Sequence, residues 1–233
     1  MATADTGLWC VVPAAGRGVR VGGDVPKQYL SIAGKPMLLH TLERLAAHPR
    51  IAGLMVVLDA GDTRWPRWLT FEDKPVRTTP GGAARADSVL AGLHALRDTV
   101  AASGFVLVHD AARPCVRAAD ISRLIEQGMP AGGALLAAPV RDTLKRADAD
   151  CRVLATEPRE ARWRALTPQM FRLGELTTAL ESARAASVAV TDEAMAMERA
   201  GFQPLLVEGA EDNIKVTTAA DFALVEFLLG RMD

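Results

Sequence analysis

A glycine-rich segment that carries three cations follows directly on a short apolar run near the start of the chain. The segment lies within VVPAAGRGVRVGGDVPKQYL, residues 11–30, and its cations are Arg17, Arg20 and Lys27. Glycines allow the backbone to approach a ligand closely and to point N–H groups at it. Because arginine and lysine neutralise phosphate charge, the pattern predicts a polyphosphate site beyond the end of a buried strand.

The segment matches neither of two common phosphate-binding loops. The dinucleotide fingerprint GxGxxG, begun at Gly16, requires a third glycine where the chain has Val21. It also requires an acid about 20 residues further on, and Asp59 at the end of the second predicted strand lies too far along. The P-loop signature GxxxxGK(S/T) does not occur in the segment. A nicotinamide-dependent oxidoreductase is therefore disfavoured, and a tight turn without a ligand is the structural alternative for this loop.

Polar groups also cluster in two further segments. GGAARADS, residues 81–88, precedes a predicted helix, and Ser88 can hydrogen-bond a base or a sugar. HDAARP, residues 109–114, ends a strongly apolar strand. Asp110 stands there at a place where a carboxylate can hold Mg²⁺ or a ribose, and Arg113 follows it closely. Ordinary loop and capping chemistry is the alternative for each segment.

TPQ, residues 167–169, and DNIK, residues 212–215, complete the set. Ligands of open α/β sheets bind beyond the carboxyl ends of the strands, so these segments are predicted to converge on one edge of the sheet. His109 is as compatible with a structural role as with a catalytic one, and Lys215 alone would be an ordinary surface lysine. The convergence therefore carries more weight than any single segment.

The composition fits one large α/β domain. The 233 residues are 49% hydrophobic, which is enough for a sizeable core, and the formal net charge is −1. A near-neutral chain gives no general electrostatic reason to bind nucleic acid or an acidic membrane, so neither partner is expected. No signal peptide is recognisable, no apolar run approaches the ~18 residues of a membrane span, and the three scattered cysteines form no disulfide framework. A reducing, cytoplasmic location is therefore expected.

Apolar runs alternate with helical patterns along the chain. Alternation of this kind indicates βαβ units, a mostly parallel sheet and helices on both of its faces. The predicted strands are Leu8–Pro13, Leu54–Leu58, Phe105–His109, Ala134–Pro139 and Pro204–Glu208. The predicted helices occupy residues 36–47, the segments after Arg85 and Asp120, a segment capped by Thr191 and ended by Gly201, and a last segment opened by Thr218.

One charged segment interrupts the alternation. Residues 141–168 are poor in large apolar side chains, and DTLKRA and CRVLAT resemble two strands joined by a turn at residues 148–150. A hairpin with so little apolar material is not stable alone. It is therefore predicted to project from the domain and to pack on something, such as a second subunit. A solvated excursion is the alternative.

Seven segments, taken in order, resemble the 2-C-methyl-D-erythritol 4-phosphate cytidylyltransferases. They are PAAGRGVR with PKQYL, RADSVLAGL, VHDAARP, APVRDTLKR, ALTPQMF, TDEAMAME and VEGAEDNIKVT. The resemblance runs from about Val11 to the last helix, which is nearly the whole chain. It implies a Rossmann-like α/β nucleotidyltransferase domain over residues 1–233, with a protruding β-arm at residues 141–168 that builds a homodimer.

The resemblance also implies a reaction. CMP would be transferred from CTP to the phosphate of 2-C-methyl-D-erythritol 4-phosphate, with release of pyrophosphate, in non-mevalonate isoprenoid biosynthesis. Mg²⁺ would be the cofactor, with Asp110 in the metal region and Asp212 as a second candidate. The same chemistry on ribitol 5-phosphate is the nearest alternative, which the chain length and the RDTLKR motif disfavour. A catalytically silent nucleotide-binding protein is disfavoured by the intact Arg20, Lys27 and Asp110.

The same resemblance implies a role for each site residue. Arg20 and Lys27 match the catalytic cations of the family. The implied CTP-binding residues are Ala14, Ala15, Gly16, Gly18, Lys27, Gly82, Ser88, Asp110 and Ala111. The residues implied around the sugar phosphate are Arg113, Thr143, Arg159, Thr167 and Lys215, of which Arg159 would reach into the site of the neighbouring subunit. The chain departs from the family pattern at Ala83, where members often carry an acid, and around Arg159.

Overall fold

The computed structural model describes residues 7–16 and 25–231 of the chain. Arg17, Gly18 and Arg20, which belong to the predicted phosphate-binding loop, lie outside these residues. Within the described part, an eight-stranded sheet forms the centre, with six α-helices and two small two-stranded sheets around it. The predicted α/β class with a mostly parallel sheet is confirmed.

The strands and helices of the described residues alternate along most of the chain. In chain order they are β1 (Leu8–Pro13), β2 (Ser31–Ile32), β3 (Lys35–Pro36), α1 (Met37–Ala46), β4 (Ile51–Leu58), β5 (Thr70–Phe71), β6 (Lys74–Pro80), α2 (Arg85–Ala95), β7 (Phe105–Val108), α3 (Ala118–Ala131), β8 (Gly133–Pro139), β9 (Leu144–Ala147), β10 (Val153–Glu157), β11 (Trp163–Arg172), α4 (Leu173–Ala185), α5 (Glu193–Arg199), β12 (Leu205–Glu208) and α6 (Ala219–Leu229). A short 3₁₀ helix, Lys27–Tyr29, precedes β2. None of these helices combines the length and apolar character that crossing a membrane requires.

Most neighbouring strands of the large sheet run parallel. Its order is β12-β8-β11-β7-β1-β4-β6-β5. β1 pairs in parallel with β4 and β7, β4 with β6, and β8 with β12. β11 is antiparallel to both of its neighbours, and the short β5 is antiparallel to β6. The carboxyl ends of β1, β4, β6 and β7 therefore lie along one edge, where the loops that follow them are neighbours.

Helices cover both faces of the sheet because its central strands are apolar on both sides. In β1, Cys10 and Val12 belong to one buried cluster, and Trp9 and Val11 belong to the other, as the two-residue period of a strand requires. The first cluster contains the apolar residues of α1 and α3, and the second contains those of α2, α4 and α5. Burial on both faces explains why these strands are continuous apolar runs in the sequence.

The longer elements β6, β11 and α4 are absent from the sequence-based prediction, as are the two-residue strands β2, β3 and β5. Only Val76 of the seven residues of β6 is buried, so this strand lacks the apolar run that marks the others. β11 begins with three exposed residues and contains Pro168, a residue type that is rare inside strands. The predicted cap of α5 is wrong by one residue. Asp192, not Thr191, caps this helix, because Oδ1 of Asp192 accepts from the amide of Met195 at 2.9 Å.

β9 and β10 form an antiparallel hairpin within the predicted arm. Its turn is closed by Asp148, whose Oδ1 accepts from the amides of Asp150 and Arg152 at 3.0 Å and 2.8 Å. The chain returns to the large sheet at Trp163, so the last residues of the predicted 141–168 arm belong to β11. The role of this hairpin in a homodimer stays a prediction.

Candidate active site

A cleft of about 350 Å³ opens at the carboxyl edge of the sheet. The loops after β1, β6 and β7 and the loop before α6 surround it. Its lining residues, among those described, are Pro13, Ala14, Ala15, Gly16, Lys27, Gln28, Gly82, Ala83, Ala84, Arg85, Ser88, Asp110, Ala111, Ala112 and Lys215. These described residues include three cations, Lys27, Arg85 and Lys215, and one carboxylate, Asp110. This excess of positive charge suits a polyanionic ligand.

Hydrogen bonds hold the backbone after β1 in place. The amide of Ala14 donates to the carbonyl of Val57 in β4 at 2.8 Å, which extends the sheet by one residue. The carbonyl of Ala14 accepts from Nε2 of Gln28 at 2.7 Å, and the side chain of Gln28 is buried. Gln28 therefore ties the segment after β1 to the 3₁₀ helix that carries Lys27.

Lys27 lies in the cleft and contacts the loop before α6. Its Nζ donates to the carbonyl of Val216 at 2.9 Å. The amide of Val216 donates in turn to the carbonyl of Ala112, in the loop after β7, at 2.9 Å. Lys27 and Lys215, which are far apart in the sequence, therefore lie on segments that are in contact.

The GGAARADS segment forms a turn that its own side chains stabilise. Oγ of the buried Ser88 accepts from the amide of Gly82 and donates to the carbonyl of Ala84, both at 3.2 Å. Oδ2 of Asp87 accepts from the amide of Ala84 at 3.2 Å, immediately before α2 begins. The hydroxyl of Ser88 therefore shapes the turn, while Gly82 and Ala83 line the cleft.

Asp110 follows β7 and is surrounded by three cations. Its Oδ1 lies 2.8 Å from Nε of Arg85, and its Oδ2 lies 3.0 Å from Nζ of Lys215 and 3.4 Å from Nε of Arg113. Burial alone would raise the pKa of the Asp110 carboxyl. Coulombic attraction by the three cations outweighs burial and holds this pKa well below its usual range. The carboxylate is therefore ionised throughout the neutral pH range.

Arg85 and Glu193 extend this cluster, and the sequence-based assignment misses both. Nη1 and Nη2 of Arg85 lie 2.6 Å and 3.1 Å from Oε1 and Oε2 of the buried Glu193, which is a bidentate ion pair. Burial alone would lower the pKa of Arg85, but Glu193 and Asp110 outweigh it and raise that pKa. Both residues lie inside motifs of the family, RADSVLAGL and TDEAMAME, which is the only signal that could have found them.

His109 is fully buried, and both of its ring nitrogens are engaged. Nε2 lies 3.0 Å from the carbonyl oxygen of Arg113, which can only accept, so Nε2 carries the proton. Nδ1 is then an acceptor and receives the hydroxyl proton of Thr167, whose Oγ1 lies 3.0 Å away. This Oγ1 accepts from the amide of Asp110 at 3.1 Å. Burial lowers the pKa of His109 to about 4, so the ring is neutral near pH 7.

The structure brings most of the predicted site residues to the cleft and leaves others outside its lining. Those that line it are Ala14, Ala15, Gly16, Lys27, Gly82, Ser88, Asp110, Ala111 and Lys215. Arg113 and Thr167 are bonded to Asp110 and are themselves buried. Thr143 precedes β9 and Arg159 follows β10, so both belong to the arm, and neither is among the described lining residues. Nη1 of Arg159 donates to the carbonyl of Arg141.

Asp110 is the one carboxylate among the described lining residues that could hold a metal ion. The described residues contain no group of three or more His, Cys, Asp or Glu side chains that could bind a metal by themselves. Asp212, the second candidate from the sequence, is ion-paired with Arg117. Mg²⁺ in nucleotide sites is held by one or two carboxylates together with the substrate phosphates. The donor set therefore fits a Mg²⁺ ion that binds together with a nucleotide.

Solved structures with the same fold establish the class of the enzyme. The 2-C-methyl-D-erythritol 4-phosphate cytidylyltransferase of Francisella tularensis superposes with a TM-score of 0.82 at 32% identity, covering 96% of this chain and 100% of that one. The enzyme of the same name from Thermus thermophilus gives a TM-score of 0.79 at 31% identity, covering 95% and 98% of the two chains. With this fold and a cation-lined cleft at the carboxyl edge of its sheet, the chain is a nucleotidyltransferase.

Sequence relatives narrow the class to a family. The profile of the family described as 2-C-methyl-D-erythritol 4-phosphate cytidylyltransferase matches residues 8–231. Relatives of that name in Xanthomonas axonopodis pv. citri (strain 306) and Stenotrophomonas maltophilia (strain K279a) are each 60% identical. These matches cover 97% and 96% of this chain, and 85% and 97% of the relatives. The chain therefore belongs to the 2-C-methyl-D-erythritol 4-phosphate cytidylyltransferase family, which confirms the resemblance seen in its motifs.

Proposed function

We propose that this cytidylyltransferase transfers CMP from CTP to the phosphate of 2-C-methyl-D-erythritol 4-phosphate and releases pyrophosphate, by in-line attack on the α-phosphorus. The observation that carries the proposal is the convergence of Lys27, Arg85 and Lys215 on one cleft around Asp110, in a member of this family. Two anions must approach each other in this reaction. A cleft with more cations than carboxylates reduces their repulsion and stabilises the charge that develops.

The triphosphate of CTP lies along the loop after β1. Ala14, Ala15 and Gly16 line this side of the cleft, and a Cβ added at Gly16 would meet no heavy atom of the described residues within 4 Å. The open space at Gly16 supports a close approach of the nucleotide to the backbone. Family resemblance assigns Gly18 and Arg20 to the continuation of the same loop.

The cytidine of CTP lies between the loops after β6 and β7. Gly82 and Ala83 read the base through backbone groups, because Ala83 has no polar side chain and the hydroxyl of Ser88 is used within the turn. Ser88 therefore contributes by shaping the turn. Asp110 and Ala111 line the cleft at the start of the loop after β7 and meet the ribose. When Mg²⁺ is bound, it neutralises triphosphate oxygens, and Asp110 is the carboxylate that would hold it.

The sugar phosphate lies on the side of Lys215, whose exposed ammonium can turn from Asp110 toward a phosphate. Arg113 contributes positive charge from behind Asp110, and Thr167 acts by holding the Asp110 backbone. Thr143 and Arg159 bind the same substrate from the arm. Arg159 reaches it in the site of a second subunit, in a homodimer built through residues 141–168.

The reaction requires no general base. The second pKa of a phosphate monoester is about 6, so the attacking oxygen is already ionised at pH 7. His109, which adjoins Asp110, donates from Nε2 and accepts at Nδ1 within the fold, so neither nitrogen is available to a substrate. Positioning and charge stabilisation then supply the rate enhancement. Lys27 and Arg20 stabilise the charge on the α-phosphate and on the leaving pyrophosphate.

Pyrophosphate release from CTP and Mg²⁺ tests the proposal, with 2-C-methyl-D-erythritol 4-phosphate and ribitol 5-phosphate supplied in parallel reactions. Release with the methylerythritol substrate alone is the expected result. Release with ribitol 5-phosphate alone would keep the nucleotidyl transfer and overturn the acceptor. Release with neither, together with CTP binding by calorimetry, would identify a silent nucleotide-binding protein. Asp110→Asn, which keeps the side-chain shape and removes the charge, is the matched control and should lose turnover.

A further inference from the structure

We infer that Glu193 is a positioning residue of the active site, which acts through Arg85 to hold the Asp110 carboxylate while Lys215 moves from Asp110 to a substrate phosphate. The inference rests on the proposed function, because it describes how the same cleft releases one of its cations. Glu193 is only 1% exposed and is not among the described lining residues. Both of its carboxylate oxygens bind Arg85, so any effect on substrate passes through that guanidinium.

Arg85 connects two carboxylates that are distant in the sequence. Its Nε lies 2.8 Å from Oδ1 of Asp110, and its Nη1 and Nη2 lie 2.6 Å and 3.1 Å from the two oxygens of Glu193. The donors of a guanidinium lie in one rigid plane, so a bidentate bond on one side fixes the direction of the donor on the other. Glu193 therefore determines the direction from which Arg85 meets Asp110.

The backbone around Glu193 is itself fastened to the sheet. Asp192 caps α5 by accepting from the amide of Met195 at 2.9 Å. The buried Gln169 of β11 donates to Oδ2 of Asp192 at 3.0 Å and accepts from the amide of Ala194 at 2.8 Å. The residues on both sides of Glu193 are thus held by one side chain of the central sheet, which gives Arg85 a fixed anchor.

Among the three cations on Asp110, Lys215 is the one that can leave. Arg85 is anchored on Glu193, and Arg113 is anchored by the bond from its Nη1 to the carbonyl of Asn213 at 2.7 Å. The side chain of Lys215 is 38% exposed, against 10% for Arg113 and 27% for Arg85. An ammonium is also a point charge that binds equally well in many orientations, so it can exchange one anion for another.

The anchored Arg85 keeps Asp110 partly neutralised when Lys215 departs. Arg85 occupies Oδ1 of Asp110, whereas Lys215 occupies Oδ2, so the two contacts do not compete. If Arg85 loses its anchor, its guanidinium can swing into the open cleft and leave Oδ1. Asp110 then attracts Lys215 more strongly, and less of the ammonium is available to a phosphate. The loss of Glu193 is therefore expected to weaken phosphate binding through Lys215.

A double-mutant cycle on the full chain tests this coupling. We expect Glu193→Gln, which keeps the shape and removes the charge, to lower kcat/KM for the phosphate acceptor about 10- to 100-fold, mainly through KM, as for the loss of a charged hydrogen bond. In a Lys215→Gln background the same change should lower kcat/KM by less than about threefold, because Asp110 then has no Lys215 ammonium to retain. Affinity for inorganic phosphate, measured by titration calorimetry on the same four proteins, should show the same pattern without any turnover.

Equal fold-losses in the two backgrounds would overturn the inference, since an effect on folding alone would be additive. Wild-type kinetics in Glu193→Gln would overturn it as well. If wild type binds inorganic phosphate but shows no turnover, the proposed reaction fails and the calorimetric cycle still decides the role of Glu193. Absence of both phosphate binding and turnover in wild type would overturn both.

Two further variants serve as an alternative if Glu193→Gln misfolds and as a control for the loss of a negative charge elsewhere. If Glu193→Gln does not fold, Glu193→Asp, which keeps the charge and withdraws the carboxylate by one methylene, enters the same cycle with the same expected coupling. Glu181→Gln is the matched control, because Glu181 pairs with Arg97 at 3.0 Å and with His94 at 2.8 Å, at the end of α2 opposite to Arg85. It should leave kcat/KM and the affinity for inorganic phosphate unchanged.

Discussion

The hydroxyl oxygen of Thr167 lies 3.0 Å from Nδ1 of His109, where it links a buried ring to the active-site loop. The same oxygen accepts from the amide of Asp110, and Nε2 of His109 donates to the carbonyl of Arg113. Hydrogen bonds thus hold the loop after β7 at both of its charged residues around the cleft, Asp110 and Arg113. Because the one hydroxyl proton of Thr167 is given to His109, we expect Thr167 to position Asp110 and not to donate to a substrate.

Thr167→Val is expected to lower the free energy of unfolding by about 1–3 kcal/mol, because it leaves the Asp110 amide and Nδ1 of His109 without partners in a buried place. KM for the nucleotide should rise as well, since the Asp110 loop loses one of its attachments. Thr167→Ser keeps the hydroxyl and should lose much less in both respects. Urea denaturation and steady-state kinetics measure the two effects. A valine variant as stable as wild type but with poor substrate affinity would show that the hydroxyl serves the ligand.

The stability of the protein should fall as the pH falls from about 6.5 toward about 4 because of His109. Burial lowers the pKa of His109 from 6.5 to about 4, so the unfolded chain binds a proton in this range that the folded chain excludes. The contribution is therefore fully present above about pH 6.5 and amounts to roughly 3 kcal/mol at its limit. Asp110 loses its charge only below its ordinary pKa of 3.8, outside this window.

Urea midpoints measured across this pH window test the assignment to His109. His109→Gln should make the stability depend less on pH in this range. His48 is the matched comparison, because burial also lowers its pKa and gives a slope of the same sign. His48→Gln should therefore remove a part of the slope that is independent of the active-site loop. An unchanged slope in His109→Gln would contradict the buried, neutral ring.

Lys27→Ala is expected to lower turnover by about 10²–10³-fold, as for the removal of one preorganised charge-stabilising group, with CTP affinity affected much less. Lys27 is held at the cleft by its bond to the carbonyl of Val216, so its charge is already in place when the phosphates arrive. Steady-state kinetics and CTP titration separate the two effects. Lys35→Ala is the control, because Lys35 is an exposed lysine paired with Glu43 at 3.0 Å. Near-normal turnover in Lys27→Ala would remove Lys27 from the mechanism.

Much of the fold follows from local patterns, and the exceptions have a physical cause. β1 is recognisable in the sequence because both of its faces are buried, so that Leu8–Val12 is a continuous apolar run. β6 is not recognisable, because it lies near the edge of the sheet beside the two-residue strand β5, and Val76 is its only buried residue. β11 lies in the centre of the sheet, but its first three residues, which directly follow the arm, are exposed. Pairing partners, rather than composition, make these two segments strands.

The same distinction holds for the candidate site. Lys27, Asp110 and Lys215 are found from sequence because each stands in a short motif at a strand end or loop. The bond between Arg85 and Glu193 joins residues that are 108 positions apart, and it exists because α2 and α5 lie on the same face of the sheet. A contact between residues so far apart in the sequence cannot be predicted from a local sequence pattern. The engagement of the Thr167 hydroxyl by His109 is hidden for the same reason, so the sequence assigns Thr167 to the substrate.

Gly16, which lines the cleft, and Gly81, which precedes the lining residue Gly82, should respond differently to a methyl group, and the difference tests where the nucleotide lies. A Cβ at Gly81 would stand 2.6 Å from Cβ of Ala15 and 2.7 Å from Oγ of Ser88, so Gly81→Ala should lower the free energy of unfolding by about 1–3 kcal/mol through overpacking. A Cβ at Gly16, which lines the cleft, would meet no atom within 4 Å in the part of the chain that the structure describes.

Gly16→Ala should therefore keep the stability within about 0.5 kcal/mol of wild type, as for a surface substitution, and still raise KM for CTP. The reason is that the methyl group occupies space that the triphosphate needs and that no described residue fills. Thermal unfolding and CTP titration on Gly16→Ala and Gly81→Ala give both quantities. Unchanged CTP affinity in Gly16→Ala would mean that the nucleotide keeps its distance from this backbone, and the phosphates would then have to be placed nearer to Lys27 and Lys215.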